Sequence, residues 1–136
     1  MPLILFDEEI HLLGMQEMDA THLDFVQQLN ALENMPTTEL AIHFSALLAH
    51  TIAHFDREDA LMLACQFPHI SEHRAEHRKV LAEMQRFAGQ LEQGKTVFAR
   101  SYIRERLPDW FRLHLASMDS ALVWHLKTGE YRSPDL

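Results

Sequence analysis

Cysteine, glycine and proline are scarce in this chain of 136 residues, which contains one cysteine, four glycines and five prolines. The single cysteine, Cys65, excludes an intrachain disulfide and a thiolate cluster that could bind zinc or an iron–sulfur centre. Few glycines and prolines leave long stretches without the residues that interrupt helices. This scarcity therefore predicts long helices with short connections.

Positive charge is also scarce, with 12 Lys and Arg against 20 Asp and Glu and a formal net charge of -8. The basic residues are scattered, so the chain lacks the clustered footprint that nucleic acids and anionic lipids require. No apolar run approaches the roughly 20 residues of a membrane span. The opening MPLILFDEEI lacks the basic leader and long apolar core of a signal peptide. We expect a cytoplasmic protein that binds neither nucleic acid nor membrane.

Apolar residues recur at helical spacing along most of the chain, which predicts an all-α fold. After an N-terminal arm of residues 1–17, helices are predicted at residues 19–34, 38–65, 69–92 and 97–127. Asp19 is the expected N-cap of the first helix, Pro108 is expected to kink or restart the fourth, and Gly129 to end it. Short connections make sequential helices antiparallel neighbours. We therefore expect one domain over residues 1–136, an up-down-up-down four-helix bundle at about 18–128 with its arm.

Ten histidines are the unusual feature of the composition. His54 and Glu58 are four residues apart on the predicted second helix, as are His73 and His77 on the third, so each pair lies about 40° apart on one helix face. One such pair is a weak indication of metal binding, because solvated helix faces often show the same spacing.

Depth along the bundle makes the indication stronger. Residues of antiparallel neighbours lie at the same level when they are equally far from the turn between them. This condition places six residues in one layer: His54, Glu58, His73, His77, His114 and Asp119. His22 of the first helix lies within a helical turn of that layer, and His50 remains a competitor for the fifth histidine position.

The other histidines are interpreted without a metal. His69 lies level with the end of the second helix, where no ligand faces it, and is assigned to solvent or to structure. His11, His43 and His125 are interpreted as surface or rim residues.

Five imidazoles and two carboxylates that converge inside a bundle predict a metal site, because unpaired buried carboxylates are costly. Nitrogen and oxygen ligands without thiolate favour iron, while manganese and zinc are also compatible. Two bridging carboxylates, histidines divided three and two, and a shared oxo or hydroxo oxygen give one iron six ligands and the other five. We expect two irons with one open position for O2 or a similar small diatomic molecule or anion. The expected apolar walls are Phe55, Trp110, Phe111 and Met118.

His114 and Asp119 are five residues apart, which in a regular helix separates them by about 140°. Both can face one cluster only if the helix widens between them. The spacing predicts a single π-type turn, a feature often found at functional sites.

With these residues in place, the sequence resembles the hemerythrin family, in particular its bacterial single-domain members. The resemblance runs from about residue 14 to 127 through these segments: MDATH, HFDRED, LM at Leu61 and Met62, HRAEH, and WFRLHLASMD. It implies a saturated iron held by His73, His77 and His114, an open iron held by His22 and His54, and bridges from Glu58 and Asp119. It favours His22 over His50 as the fifth histidine ligand.

The resemblance also implies reversible O2 binding at the open iron of the reduced centre, with no side chain acting as a general base. One departure concerns Phe111, which stands three residues before His114. Oxygen carriers of the family usually have a smaller aliphatic residue there, so reversible carriage is a less direct implication than di-iron binding.

Three other interpretations remain. The first is a di-iron enzyme or stress protein that handles nitric oxide, peroxide or iron for repair, although Asp119 five residues after His114 argues against the nitrosative-stress type. The second is a metal-free helical interaction module. A ferritin-like centre would need Glu-x-x-His pairs on two bundle helices, and only Glu8 and His11, in the arm, have that spacing.

Overall fold

Four helices account for most of the computed structural model, which describes residues 2–7 and 12–128. They are α1 (Gln16–Ala31), α2 (Thr37–Ala64), α3 (Ile70–Glu92) and α4 (residues 97–128), and the described residues contain no strand. Sequential helices pack against each other through short turns. The all-α, up-down-up-down bundle is therefore confirmed. The single domain over residues 1–136 stays a prediction.

The start of α1 differs from the prediction. The helix begins at Gln16, three residues early, so Asp19 lies inside its first turn and the N-cap assignment was wrong. The Asp19 carboxylate instead accepts hydrogen bonds from the backbone N–H groups of Leu13 at 2.7 Å and Gly14 at 3.0 Å. Gly14 has a φ of 87°, which glycine adopts without strain. This turn directs the arm back towards the helix, where Asp19 binds it.

The arm packs against α1 and α4 rather than extending into solvent. Ile4 is 1% exposed, and its N–H donates to Asn30 Oδ1 while its carbonyl accepts from Asn30 Nδ2, both at 2.8 Å. Arg112 of α4 donates to the Leu3 carbonyl at 2.8 Å. One amide side chain therefore satisfies both backbone groups of a buried residue.

Helix α4 contains two π-helical segments. The first, Tyr102–Arg106, precedes Pro108, and the N–H of Leu107 donates to the Tyr102 carbonyl five residues back. Pro108 has no N–H for the carbonyl four residues before it, so the preceding turn widens and a regular helix restarts at Leu107. The predicted effect of Pro108 is thus confirmed as a restart, whereas the π geometry of this segment was not predicted.

The second π-helical segment, Leu115–Asp119, lies where the sequence predicts one. The Ser120 N–H donates to the Leu115 carbonyl, five residues back, so the ordinary helical ladder is broken between His114 and Asp119. The extra residue turns the Asp119 side chain back into the bundle, where it is 2% exposed.

Two apolar clusters fill the bundle, one on each side of a polar layer. The larger cluster includes Phe25, Phe55 and Leu115, and the smaller one includes Met18, Met62 and Leu122. In α1, α2 and α4 a predicted metal ligand stands between members of the two clusters: His22, Glu58 and Asp119. The apolar clusters therefore hold the layer at a fixed depth and keep bulk water from it.

The histidines without a metal role divide into two groups. His43 and His69 are exposed, as predicted. His125 is 6% exposed, so its interpretation as a surface or rim residue was wrong. Its Nε2 lies 3.1 Å from the carbonyl of Cys65, just beyond the end of α2, where helix carbonyls lack partners within the helix.

A few predictions fall on parts of the chain that the structure does not describe. Glu8 and His11 belong to the undescribed part of the arm, and Gly129 follows the last described residue. Among the described helices, none is both long and apolar enough to cross a bilayer.

The attachment of the arm can be tested at Asn30. Asn30→Ala removes two hydrogen bonds and leaves the Ile4 backbone groups without partners, so we expect the free energy of unfolding to fall by about 1–3 kcal/mol. Chemical denaturation followed by circular dichroism measures the change. Asn34→Ala, at an exposed position just after α1, is the control and should leave the midpoint unchanged. Equal midpoints for both variants would show that the arm adds nothing to stability.

Candidate metal centre

All seven predicted ligands lie in one layer of the bundle. Each helix contributes at least one: His22 from α1, His54 and Glu58 from α2, His73 and His77 from α3, and His114 and Asp119 from α4. Six of them are buried, and His54 is partly exposed at the edge of the layer. His50 is not part of any group of potential ligands in the described residues, which favours His22 as the fifth histidine ligand.

The Glu58 carboxylate is surrounded by imidazoles from two helices. Its Oε1 lies 2.6 Å from Nε2 of His73 and 3.2 Å from Nε2 of His77. Its Oε2 lies 3.1 Å from Nε2 of His54, one turn earlier on the same helix. The two oxygens of this carboxylate therefore face different histidines.

Asp119 divides its oxygens in the same way. Its Oδ1 lies 3.2 Å from Nε2 of His73 and 3.1 Å from Nε2 of His114, whereas Oδ2 lies 3.1 Å from Nε2 of His22. Both carboxylates thus present one oxygen to the set of His73, His77 and His114, and the other oxygen to His22 or His54. This is the arrangement that two bridging carboxylates require between two cations.

The buried polar atoms of the layer fit bound cations. Although these contacts are short, they lack hydrogen-bond geometry, and ten of the atoms have no hydrogen-bond partner: Nδ1 and Nε2 of His22, His73 and His114, Nε2 of His77, both Glu58 oxygens, and Asp119 Oδ1. Buried polar groups left in this state are costly. Cations between the carboxylates and the imidazoles would satisfy the inward-facing atoms of this set.

Proton affinities in the layer follow from the same contacts. Burial and the nearby Asp119 both raise the pKa of Glu58, but its contacts with His54, His73 and His77 outweigh them and lower it to about 2. Burial raises the pKa of Asp119, and the opposing contacts with His114, His22 and His73 bring it well below its usual value. Burial lowers the pKa of His73, but the two carboxylates raise it to about 9.

Residues around the layer orient the ligands, and one of them, Asp59, was not predicted from the sequence. Asp59 Oδ1 lies 3.1 Å from Nδ1 of His77, and Asp59 also faces Arg74 at 3.6 Å. A proton shared on that side leaves the Nε2 lone pair of His77 free to face a metal. The signal was the second acid of the segment RED, directly after Glu58.

Aromatic rings stack on two of the imidazoles, those of His77 and His114. Phe55 stacks on His77 with ring centroids 3.8 Å apart and planes 5° apart. Trp110 stacks on His114 at 4.6 Å and 17°, and its Nε1 donates to Glu76 at 3.3 Å. These contacts restrict both ligand rings to one orientation.

A small cavity borders the layer on the side of His22 and His54. Its volume is about 20 Å³, enough for one molecule about the size of water. Its walls include three of the predicted wall residues, Phe55, Trp110 and Phe111, and three that were not predicted as walls, Phe25, His50 and Thr51. The predicted ligands that also line it are His22, His54, His114 and Asp119.

Met118 is not among the residues that line this cavity. It borders a separate outer groove together with Phe67, His69 and Ser117. The π turn brings Asp119 inward, and Met118, the residue before it, therefore points to a different side of the helix. The predicted role of Met118 as a wall of the cavity is not supported by this position.

Comparison with known proteins agrees with this geometry. The family model for the hemerythrin HHE cation binding domain matches residues 13–124, which includes every residue of the layer. The chain belongs to the hemerythrin family. As a hemerythrin it is of the oxygen-binding, non-haem di-iron type, and its buried His, Glu and Asp side chains fit that centre.

The chain is also similar in sequence or in fold to individual hemerythrins. The chain is 35% identical over 130 residues to the bacteriohemerythrin of Ralstonia nicotianae. The aligned region covers 95% of this chain and 93% of that protein. A wild-type hemerythrin structure has a TM-score of 0.79 at 19% identity and covers 87% of this chain and 93% of its own. A hemerythrin with a leucine-to-tyrosine substitution has a TM-score of 0.81 at 19% identity, with 88% and 94% covered. The two structures support the fold.

Metal binding to this hemerythrin should release a proton from His73. The pKa of about 9 keeps its imidazole protonated near neutral pH in the metal-free protein, and a metal ligand must be neutral. Calorimetric titration of metal-free protein with Zn²⁺ at about pH 7.5, in buffers of different ionisation enthalpy, should show about one proton released. At a pH above 9 the release from His73 should disappear. Zero release at neutral pH would contradict the raised pKa.

Proposed function

We propose that the protein binds O2 reversibly at its di-iron centre. The observation that carries this proposal is the division of the carboxylate oxygens, since Glu58 and Asp119 each face both histidine sets. One set has three imidazoles and the other has two. A centre built on these residues would be asymmetric, and the metal held by two histidines would have one protein ligand fewer.

The ligand assignment follows the two sets. His73, His77 and His114 would hold one iron, His22 and His54 would hold the other, and Glu58 and Asp119 would bridge them. The potential ligand atoms support this assignment, because those of Glu58, His73, His77, His114 and Asp119 lie within 4.8 Å of one another, as do those of His22, His54 and Glu58.

The cavity supports binding next to the iron with two histidines. It borders both histidines of that set, His22 and His54, and one histidine of the other set, His114. When bound, the irons supply the electrons and the open coordination position that O2 binding requires. The protein supplies the size limit, since a space of about 20 Å³ favours small ligands such as O2 over larger substrates.

The walls of the cavity favour binding over catalysis. Phe25, Phe55 and Phe111 are buried and apolar, and they restrict the access of water and protons to the ligand. Apart from the residues assigned to iron, His50 is the one described residue with a titratable side chain that lines this space. A cavity without a set of acid and base groups fits a protein that holds O2 and releases it unchanged.

Cycles of oxygenation test the proposed function. Reduced, desalted protein mixed with O2 should develop the visible charge-transfer band of an oxygenated di-iron centre, with one O2 bound per two irons. Flushing with argon should return the colourless reduced form, because the walls restrict the water and protons that promote oxidation. Stopped-flow absorption and iron analysis measure both steps. Direct decay to the oxidised centre, without recovery under argon, would replace reversible binding by the enzymatic alternative.

Phe111 should control access to the iron. It is 4% exposed, stacks on Phe25 with ring centroids 5.0 Å apart and meets the edge of His22 at 6.0 Å. Phe111→Leu removes part of this wall, so O2 and azide should bind several-fold faster and the oxygenated form should have a shorter lifetime. The control is Phe98→Leu, the same change at a position of α4 that is 71% exposed. Unchanged rates in Phe111→Leu would place the route of access elsewhere.

A further inference from the structure

His50 occupies a position in the ligand cavity for which iron binding gives no role. It lies on α2 four residues before His54, so its side chain lies one turn further along the same face of the helix. It lines the cavity, is only partly exposed, and its Nε2 is buried without a hydrogen-bond partner. A buried polar atom beside an apolar space is costly unless something in that space bonds to it.

The other polar residues of the cavity wall are already committed. Thr51 is 2% exposed, and its hydroxyl donates to the Leu47 carbonyl at 2.7 Å. Trp110 donates its indole N–H to Glu76 at 3.3 Å. Apart from the residues assigned to iron, His50 therefore has the one uncommitted side-chain donor among the described residues that line the cavity.

We infer that His50 donates a hydrogen bond from Nε2 to the small ligand held in this cavity. This inference rests on the proposed function, because it assumes that the ligand binds next to His22 and His54. Such a hydrogen bond would make the cavity bind small anions that accept a hydrogen bond more tightly than neutral molecules of the same size. A small linear anion such as azide fits this description and serves as the probe.

The preference has a physical basis in the size and polarity of the cavity. A space of about 20 Å³ leaves a small ligand little freedom to move away from the imidazole. Any ligand that occupies it either accepts the hydrogen bond of His50 or leaves that donor unpaired. Hydrogen bonds to a charged acceptor are the stronger kind, and an unpaired donor adds a penalty. Anions should therefore gain more affinity from His50 than neutral molecules of the same size.

The test compares azide binding in the oxidised, iron-loaded protein and in three variants. His50→Leu removes the donor and keeps a side chain of similar size. The dissociation constant of azide should rise about tenfold, which corresponds to about 1.4 kcal/mol of binding free energy. His50→Gln restores an N–H donor and should recover most of the affinity. His43→Leu is the control, the same change at an exposed position two turns earlier on α2, and should bind azide as the wild type does. Iron content is measured for each.

A vibrational measurement supplies a second readout. The stretching frequency of bound azide should shift between H2O and D2O in the wild type, because the hydrogen bond exchanges its proton, and the shift should be absent in His50→Leu. The comparison between H2O and D2O can be made on the wild-type protein alone, so it tests the hydrogen bond even if a variant binds iron poorly.

The outcomes separate the inference from the proposed function. If the wild type loads iron but forms no azide complex, the proposed open position is wrong. If the wild type binds azide and His50→Leu binds it equally well, or the wild type shows no shift in D2O, the hydrogen bond is wrong and the proposed function stands. Tighter binding in His50→Leu would show that His50 itself competes for the open iron, which also overturns the inference.

Discussion

Two buried carboxylates surrounded by five imidazoles form the constraint on which the rest of this bundle depends. Glu58 and Asp119 are 3% and 2% exposed, and within residues 2–7 and 12–128 the close contacts that offset their charge are with histidine nitrogens. An apolar cluster lies on each side of the layer. Because the carboxylates come from α2 and α4 and the imidazoles from all four helices, a shift of any helix along its axis would separate a charge from its partners.

This constraint also accounts for the irregular backbone of α4. His114 and Asp119 must both face the layer, and the π turn at Leu115–Asp119 makes a five-residue spacing compatible with that. The other π segment, Tyr102–Arg106, has a different cause, since it precedes Pro108 and lies away from the metal ligands. One π segment of α4 thus serves to place two predicted ligands, whereas the other follows from the missing N–H group of Pro108.

The features that the sequence predicts correctly depend on regular helix geometry. Spacing of four residues placed His54 with Glu58 and His73 with His77, and equal depth brought in His114 and Asp119. The resemblance to hemerythrins was needed to choose His22 over His50, because the two lie within one turn of the same level. A helical period thus predicts which residues share a layer, and it resolves their depth to about one turn.

The features that could not be predicted from the sequence depend on irregular backbone or on tertiary contacts. Asp19 binds the loop before α1 rather than capping the helix, because Gly14 turns the arm back. His125 reaches a carbonyl beyond the end of α2, 60 positions earlier in the chain. Met118 faces an outer groove because the π turn changes the phase of α4. No local pattern specifies these contacts, since each depends on where a distant or irregular segment lies.

The asymmetric di-iron centre can be tested by diffraction from crystals of the iron-loaded protein, with data collected on both sides of the iron absorption edge. We expect two iron peaks between Glu58 and Asp119, one bonded to His73, His77 and His114 and the other to His22 and His54. His50 should face the second iron without bonding to it. A single peak, or a second iron bonded to His50 in place of His22, would contradict this centre.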